Sequence, residues 1–117
     1  MAIIIESVAL PTRGPLNIRL DVAATINVTA EEARRKAAVF AGNKIADLLS
    51  GEAPGLVWQQ NTAYWRVPIA LHSRSMGRIG VVGAIDVNVE TGELQITDQL
   101  IEDIEENAQR FAIGASL

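Results

Sequence analysis

Two long segments in which apolar and polar residues alternate constrain this chain more than any other feature. They are Tyr64–His72 and Ile79–Val89, separated by residues 73–77. The alternating apolar residues are Trp65, Val67, Ile69 and Leu71 in the first segment and Ile79, Val81, Ile85, Val87 and Val89 in the second. A period of two is that of a β-strand, whose successive side chains point to opposite faces. We therefore predict an antiparallel hairpin, preceded by a third strand at Leu56–Gln60.

Two residue types inside these strands predict local departures from a regular sheet. Pro68 has no backbone N–H, so it predicts a bulge or a locally unpaired edge in the first segment. Gly80 and Gly83 make the start of the second strand small, which predicts close packing by an alanine-rich helix.

The N-terminal 28 residues predict a further hairpin. Residues 3–10 are mostly apolar and half of them are β-branched, and a Pro- and Gly-containing turn follows at Pro11–Pro15. The alternation from Leu16 to Val22 is typical of a half-buried strand.

A capping box then predicts the start of a helix. Thr29 is the expected N-cap, and Glu32 follows three residues later. The apolar stripe of this helix consists of Ala33, Ala37, Phe40, Ala41 and Leu48. We expect the helix to continue to Ser50 and to end at Gly51.

The C-terminal part predicts a turn at Glu90–Glu93, a short strand at Leu94–Ile96 and a last helix. Asp98 is the expected N-cap of that helix, which should run to Ala112 and be amphipathic. With 117 residues the chain fits one domain. The predicted class is α+β: an antiparallel sheet with one long helix packed on it and a C-terminal amphipathic helix.

Composition excludes several classes of function. The net charge of −4 argues against nucleic-acid binding, which requires cations to neutralise phosphates. The absence of cysteine excludes disulfides, thiol nucleophiles and zinc–thiolate sites. No signal-peptide pattern begins the chain, and no apolar run approaches the ~20 residues that a membrane span needs. We expect a cytoplasmic protein that binds neither nucleic acid nor membranes.

Three segments resemble the PepSY-like group of small α/β domains. These are Thr-Ala-Glu-Glu-Ala at 29–33, Tyr-Trp-Arg-Val-Pro at 64–68 and Ile-Asp-Val-Asn-Val-Glu-Thr-Gly-Glu-Leu at 85–94. The resemblance covers residues 29–96, with Asn88 where the family commonly has Asp. It implies a helix laid on an antiparallel sheet, and a binding or inhibitory module rather than an enzyme. Independently of the family, Gly92 should supply the positive φ that the turn requires.

The loop after the first long strand is the strongest candidate for a ligand-binding site. Arg74, Ser75 and Arg78, together with His72, could bind a phosphate or carboxylate through bidentate contacts. The alternative is that these are ordinary solvated arginines, because no phosphate-binding signature is present.

His72 and Asp86 are the only candidates for a catalytic pair. They are predicted on one face of the sheet, where histidine could act as a base oriented by the carboxylate. The hairpin register instead favours an Arg66–Asp86 ion pair, with His72 nearer Arg78. The carboxylates of the last helix (Glu102, Asp103, Glu105 and Glu106) are interpreted as a solvated face rather than a metal site.

The sequence therefore predicts a non-catalytic protein-interaction or regulatory module without a cofactor or metal. We expect it to form a homo-oligomer, such as a homodimer, through Ile3, Ile4 and Ile5 of the first strand and Ile101, Ile104 and Phe111 of the last helix. A second partner would be a protein encoded nearby that this chain regulates in the manner of an antitoxin. The alternatives are a small anion-binding domain using residues 73–78 and an enzyme using His72 and Asp86.

Overall fold

The computed structural model describes residues 3–5, 13–17 and 21–115. In chain order its elements are β1 (Ile3–Ile5), α1 (Ala30–Lys44), β2 (Leu49–Gly51), β3 (Gly55–Gln59), β4 (Thr62–Ser73), β5 (Gly77–Asn88), β6 (Leu94–Gln95) and α2 (Asp98–Ala115). Neither helix in the described part of the chain is long and apolar enough to span a membrane.

The strands form one sheet in the order β1-β3-β4-β5-β6, and β2 pairs with the same edge of β4 as β3 does. All pairings are antiparallel except that of β1 with β3. The long β4–β5 hairpin and the strand before it confirm the central prediction. The α+β class is confirmed as well.

Both helices lie on the same face of this sheet. Gly51 of β2 is opposite Ile69 of β4, which is opposite Gly83 of β5, so these three residues share a face. A Cβ added at Gly51 would meet the α1 backbone at 2.9 Å, whereas one at Gly83 would meet Ile104 of α2 at 2.7 Å. The core lies between this face and the helices.

The glycines of β5 have a different partner from the one that the sequence predicts. Gly80 and Gly83 face Phe111 and Ile104 of α2, not the alanine-rich α1. The glycine that admits α1 is Gly51, because the alanine stripe of α1 packs over β2 and β4.

The first helix begins as predicted and ends earlier. Thr29 accepts a hydrogen bond from the Glu32 backbone N–H through its hydroxyl, as expected for the N-cap. The prediction that the helix continues to Ser50 is wrong, because α1 ends at Lys44. Gly42 and Asn43 weaken its last turn. Residues 49–51 instead form the strand β2, which pairs with β4.

A bulge moves two valines of β5 from their predicted positions. Ile69 pairs with Gly83 and Ala70 pairs with Val81, which leaves Val82 as an extra residue. Val82 is therefore buried, whereas Val81, predicted to face the core, is 43% exposed.

Pro68 lies where the neighbouring edge is interrupted, in line with its predicted effect. Its carbonyl accepts a hydrogen bond from the N–H of Glu52, so its nitrogen faces the same edge, at the gap between β2 and β3. The absence of an N–H at Pro68 therefore interrupts no continuous series of hydrogen bonds between paired strands.

The last helix is capped one residue earlier than predicted. The hydroxyl of Thr97 accepts a hydrogen bond from the N–H of Leu100, so Thr97 and not Asp98 is the N-cap. The helix runs to Ala115 rather than Ala112.

The N-terminal predictions are only partly covered by the described residues. The strand at residues 3–10 is confirmed for Ile3–Ile5, while residues 6–12 and 18–20 lie outside the described part. Residues 13–17 and 21–28 contain no strand, and Leu16 and Val22 are exposed. The first alternating segment is therefore not a strand where it is described.

The turn before the short strand forms as predicted. Gly92 has a φ of 76°, and the side chain of Asn88 accepts hydrogen bonds from the N–H groups of Glu90 and Thr91. An amide oxygen thus performs the turn-forming role that carboxylates commonly have.

Candidate functional site

The loop between β4 and β5 is a tight, internally bonded hairpin turn. The hydroxyl of Ser73 accepts hydrogen bonds from the backbone N–H groups of Ser75 and Met76. Gly77 has a φ of 73°, which closes the turn. Of the predicted ligand-binding residues, Arg74 and Ser75 thus lie in the turn, and His72 and Arg78 lie on the strands that flank it.

Arg78, one of the two candidate anion-binding arginines, is already paired. Its Nε lies 2.5 Å from one oxygen of Glu52, and its Nη2 lies 3.0 Å from the other. These hydrogen bonds lower the pKa of Glu52 and raise that of Arg78, while partial desolvation opposes the change at Glu52. The carboxylate of Glu52 occupies two of the five N–H donors of Arg78 and neutralises its charge, which weakens its attraction for a free anion.

The other loop residues do not converge on a common point. Arg74 is exposed and forms no ion pair among the described residues. His72 lies opposite Arg78 on β5, as the predicted register requires, and is half-buried.

The predicted His72–Asp86 pair is not formed. Asp86 lies directly opposite Arg66, whose Nε and Nη2 donate to its two oxygens at 2.8 and 2.9 Å. His72 is six residues further along β4, a distance of about 20 Å in an extended strand. The structure thus shows the cross-strand ion pair that the register favours.

The end of the hairpin carries a continuous apolar surface. We call it the hairpin-end patch and define it by Leu48, Met76, Ile79 and Phe111. Two adjacent hollows of about 270 and 330 Å³ share Met76 and Ile79; Leu48 lines the first and Phe111 the second. The exposed fractions of Leu48, Met76 and Phe111 are 37%, 62% and 40%. The segment before β2, the β4–β5 hairpin and α2 therefore meet at this patch, and Leu48, Met76 and Phe111 remain partly exposed there.

The predicted interface residues of α2 have different surroundings. Ile104 is fully buried within the chain, where it packs against Gly83, and its assignment to an interface stays a prediction. Ile101 is half-buried. Phe111 covers Gly80 with its ring yet remains 40% exposed, so it can contact both its own sheet and a partner.

The first-strand residues Ile3, Ile4 and Ile5 pair in parallel with Leu56, Val57 and Trp58. This pairing occupies one edge of β1. The assignment of Ile3, Ile4 and Ile5 to an interface stays a prediction.

Met76 and Leu48 are functional candidates that sequence reasoning misses. The sequence places Leu48 on the core side of a helix that in fact ends before it, and it marks Met76 only as a loop residue. A large apolar residue at the tip of a hairpin turn, where polar residues predominate, is the available signal.

The acidic residues of α2 lie on a solvent-exposed surface. Glu102, Asp103, Glu105 and Glu106 are all exposed, and Glu106 pairs with Arg110. In the described ranges, no three histidine, aspartate or glutamate side chains come together in an arrangement that could hold a metal ion.

Comparison of the chain with family models, curated proteins and solved structures finds no match.

Proposed function

We propose that this chain is a non-catalytic protein-interaction module that self-associates through the hairpin-end patch. The observation that carries the proposal is the continuity of the patch: Met76, at the tip of the turn, and Phe111, near the end of α2, line one hollow. Large apolar side chains that are adjacent and exposed mark interaction surfaces more often than isolated ones do.

The surroundings of the patch suit a protein partner. Its border is polar and includes Ser73 and Ser75 in one hollow and Arg78 and Arg110 in the other. An apolar centre with a polar border is the usual composition of a protein–protein interface. Two copies of one patch can meet about a two-fold axis, so a symmetric dimer is the simplest assembly.

The two alternative functions have less support. Anion binding at residues 73–78 is weakened because Glu52 neutralises Arg78, and catalysis by His72 and Asp86 is weakened because Arg66 holds Asp86. Membership of the PepSY-like group is a hypothesis about the family of the chain. Regulation of a protein encoded nearby is a hypothesis about its partner.

The test is light scattering after size exclusion on the wild-type chain and on Met76→Glu. We expect a wild-type mass twice that of one chain, and a dissociation constant raised at least about tenfold by a charge at the centre of the patch. Asn61→Asp is the matched control, since it adds the same charge in the exposed β3–β4 turn.

Thermal unfolding of each variant establishes that it is folded, which is expected because Met76 is 62% exposed. A monomeric wild-type chain at high concentration would overturn the proposal. So would a Met76→Glu dimer that is as stable as the wild-type dimer.

A further inference from the structure

A second apolar surface, separate from the hairpin-end patch, runs along the outer side of α1. It is an open groove of about 490 Å³ between α1 and the short strand β6. We call it the α1 groove; its lining residues are Arg35, Lys36, Val39, Phe40, Asn43, Lys44 and Leu94. None of these residues belongs to the hairpin-end patch.

The apolar floor of the groove follows from the way that α1 packs. The side of the helix that contacts the sheet is formed by Ala33, Ala37 and Ala41, which are fully buried. The larger side chain of Val39 is therefore directed away from that contact, whereas Phe40 lies at its edge, half-buried and packed against the core. Val39 is 61% exposed, the exposure of a surface residue rather than of a core residue.

The border of the groove is positively charged although the whole chain is acidic. Arg35, Lys36 and Lys44 line it, and no carboxylate does so among the described residues. Lys36 and Lys44 are the only lysines of a chain whose net charge is −4. This local reversal of charge favours an acidic partner.

The three cations are not neutralised by strong ion pairs. Lys36 donates a hydrogen bond to the carbonyl of Gly92, which leaves its positive charge uncompensated. Arg35 lies 3.9 Å from Glu31, a weak and exposed contact. Lys44 forms no ion pair within the described ranges.

The shape of the groove favours a helix as its occupant. Its α1 residues form two rows at spacing four, 35-39-43 and 36-40-44. Such rows are the ridges against which a second helix packs, and nine residues of helix extend over about 13 Å.

We propose that the α1 groove binds an acidic amphipathic helix of a partner protein. The apolar side of that helix would lie on Val39, Phe40 and Leu94, and its carboxylates would meet Lys36 and Lys44. This is the helix-in-groove mode of recognition.

The chain's own acidic helix does not meet these requirements. The apolar side of α2 is used against its own sheet, where Ile104 is fully buried. Its outward side presents Glu102, Glu105 and Glu106. An occupant needs carboxylates and an apolar side together, so a different protein fits better than a second copy.

Fluorescence anisotropy tests the proposal with two labelled synthetic 18-residue peptides. Both have leucines along one helical side; the other side is glutamate in one peptide and lysine in the other. We expect the acidic peptide to bind at least about tenfold more tightly than the basic peptide. Raising the salt concentration from about 0.05 to 0.5 M should weaken its binding, because the contacts are exposed.

Variants locate the binding site. Val39→Asp and Lys44→Glu should each weaken binding of the acidic peptide at least about tenfold, since they place a negative charge in the groove. Arg13→Glu is the matched control, because it makes the same change of charge as Lys44→Glu at an exposed residue outside the groove. Thermal unfolding of each variant shows that lost binding does not reflect unfolding.

Three results would overturn the proposal: no binding of either peptide, equal binding of both, or an equal effect of Arg13→Glu and Lys44→Glu. A change in oligomer mass caused by Val39→Asp would also overturn it, because the occupant would then be a second copy. Met76→Glu should bind the peptide like the wild type, so failure of the dimer proposal and failure of this one are distinguishable.

Discussion

At the scale of single residues, glycines decide how closely the helices approach the sheet. Gly83 faces Ile104 so closely that an added Cβ would lie 2.7 Å from Cγ1 of that side chain. At Gly114, in the last turn of the same helix, an added Cβ would have no atom within 4 Å. The same substitution should therefore have opposite effects at these two positions.

We predict that Gly83→Ala lowers the free energy of unfolding by about 1–3 kcal/mol, because overpacking displaces Ile104. Gly114→Ala should be neutral or stabilising by about 0.5 kcal/mol, because alanine is the better helix former. Urea unfolding measures both. In a Gly83→Ala, Ile104→Ala double variant, the loss should be smaller than the sum of the single losses. Additive losses would show that the two side chains do not interact.

At the scale of elements, the Glu52–Arg78 ion pair joins the segment after β2 to the start of β5. The hydrogen bonds from Arg78 lower the pKa of Glu52 in the folded chain. A lowered folded-state pKa adds stability above the pKa of the unfolded state, which is about 4.3 for glutamate. That stability is lost as the pH falls through the folded-state value.

We therefore expect Glu52→Gln to be destabilising at pH 7 and to lose this effect as the pH is lowered below about 4. Urea unfolding of both chains at a series of pH values gives the difference. In an Arg78→Gln background the pH-dependent difference should nearly disappear, because the principal partner is gone. A difference that stays constant from pH 7 to pH 3 would contradict this assignment.

Element by element, the sequence predicts what depends on local periodicity and fails where tertiary pairing decides. The alternation of Trp65, Val67 and Ile69 is sufficient to identify β4 and its buried face. The predicted end of α1 is wrong, because residues 49–51 pair with a strand twenty residues later. The bulge at Val82 likewise depends on the register between two strands, which periodicity within one strand cannot reveal.

In the candidate site, too, local patterns predict some contacts, and contacts that depend on tertiary pairing escape prediction. The register of the hairpin is sufficient to predict the Arg66–Asp86 pair and the position of His72 opposite Arg78. The Arg78–Glu52 pair escapes prediction, because Glu52 is 26 residues away in sequence. The hairpin-end patch joins three separate parts of the chain, so no local pattern identifies it.

At the scale of the whole molecule, α2 is part of the core and not an appendage. Ile104 is fully buried against β5, and Leu100 and Ala108 pack against the same cluster. Replacing one buried isoleucine by alanine costs about 2–5 kcal/mol, out of a typical total of about 5–15 kcal/mol.

We predict that a chain ending before Asp98 does not unfold cooperatively and binds the dye anilinonaphthalene sulfonate, because β5 loses its cover. A chain ending after Phe111 retains the buried contacts of α2 and is the control; it should unfold cooperatively. Urea unfolding and dye fluorescence are the measurements. A truncated chain before Asp98 with wild-type stability would show that α2 is dispensable for folding.

The parallel pairing of β1 with β3 has a consequence for the order of folding. Ile3 is opposite Leu56, 53 positions later in the chain, whereas β4 and β5 are joined by only three residues. Closing a long loop costs more chain entropy than closing a short one, so non-local pairs form after local ones. We therefore expect the β4–β5 hairpin to form early and β1 to pair with β3 last.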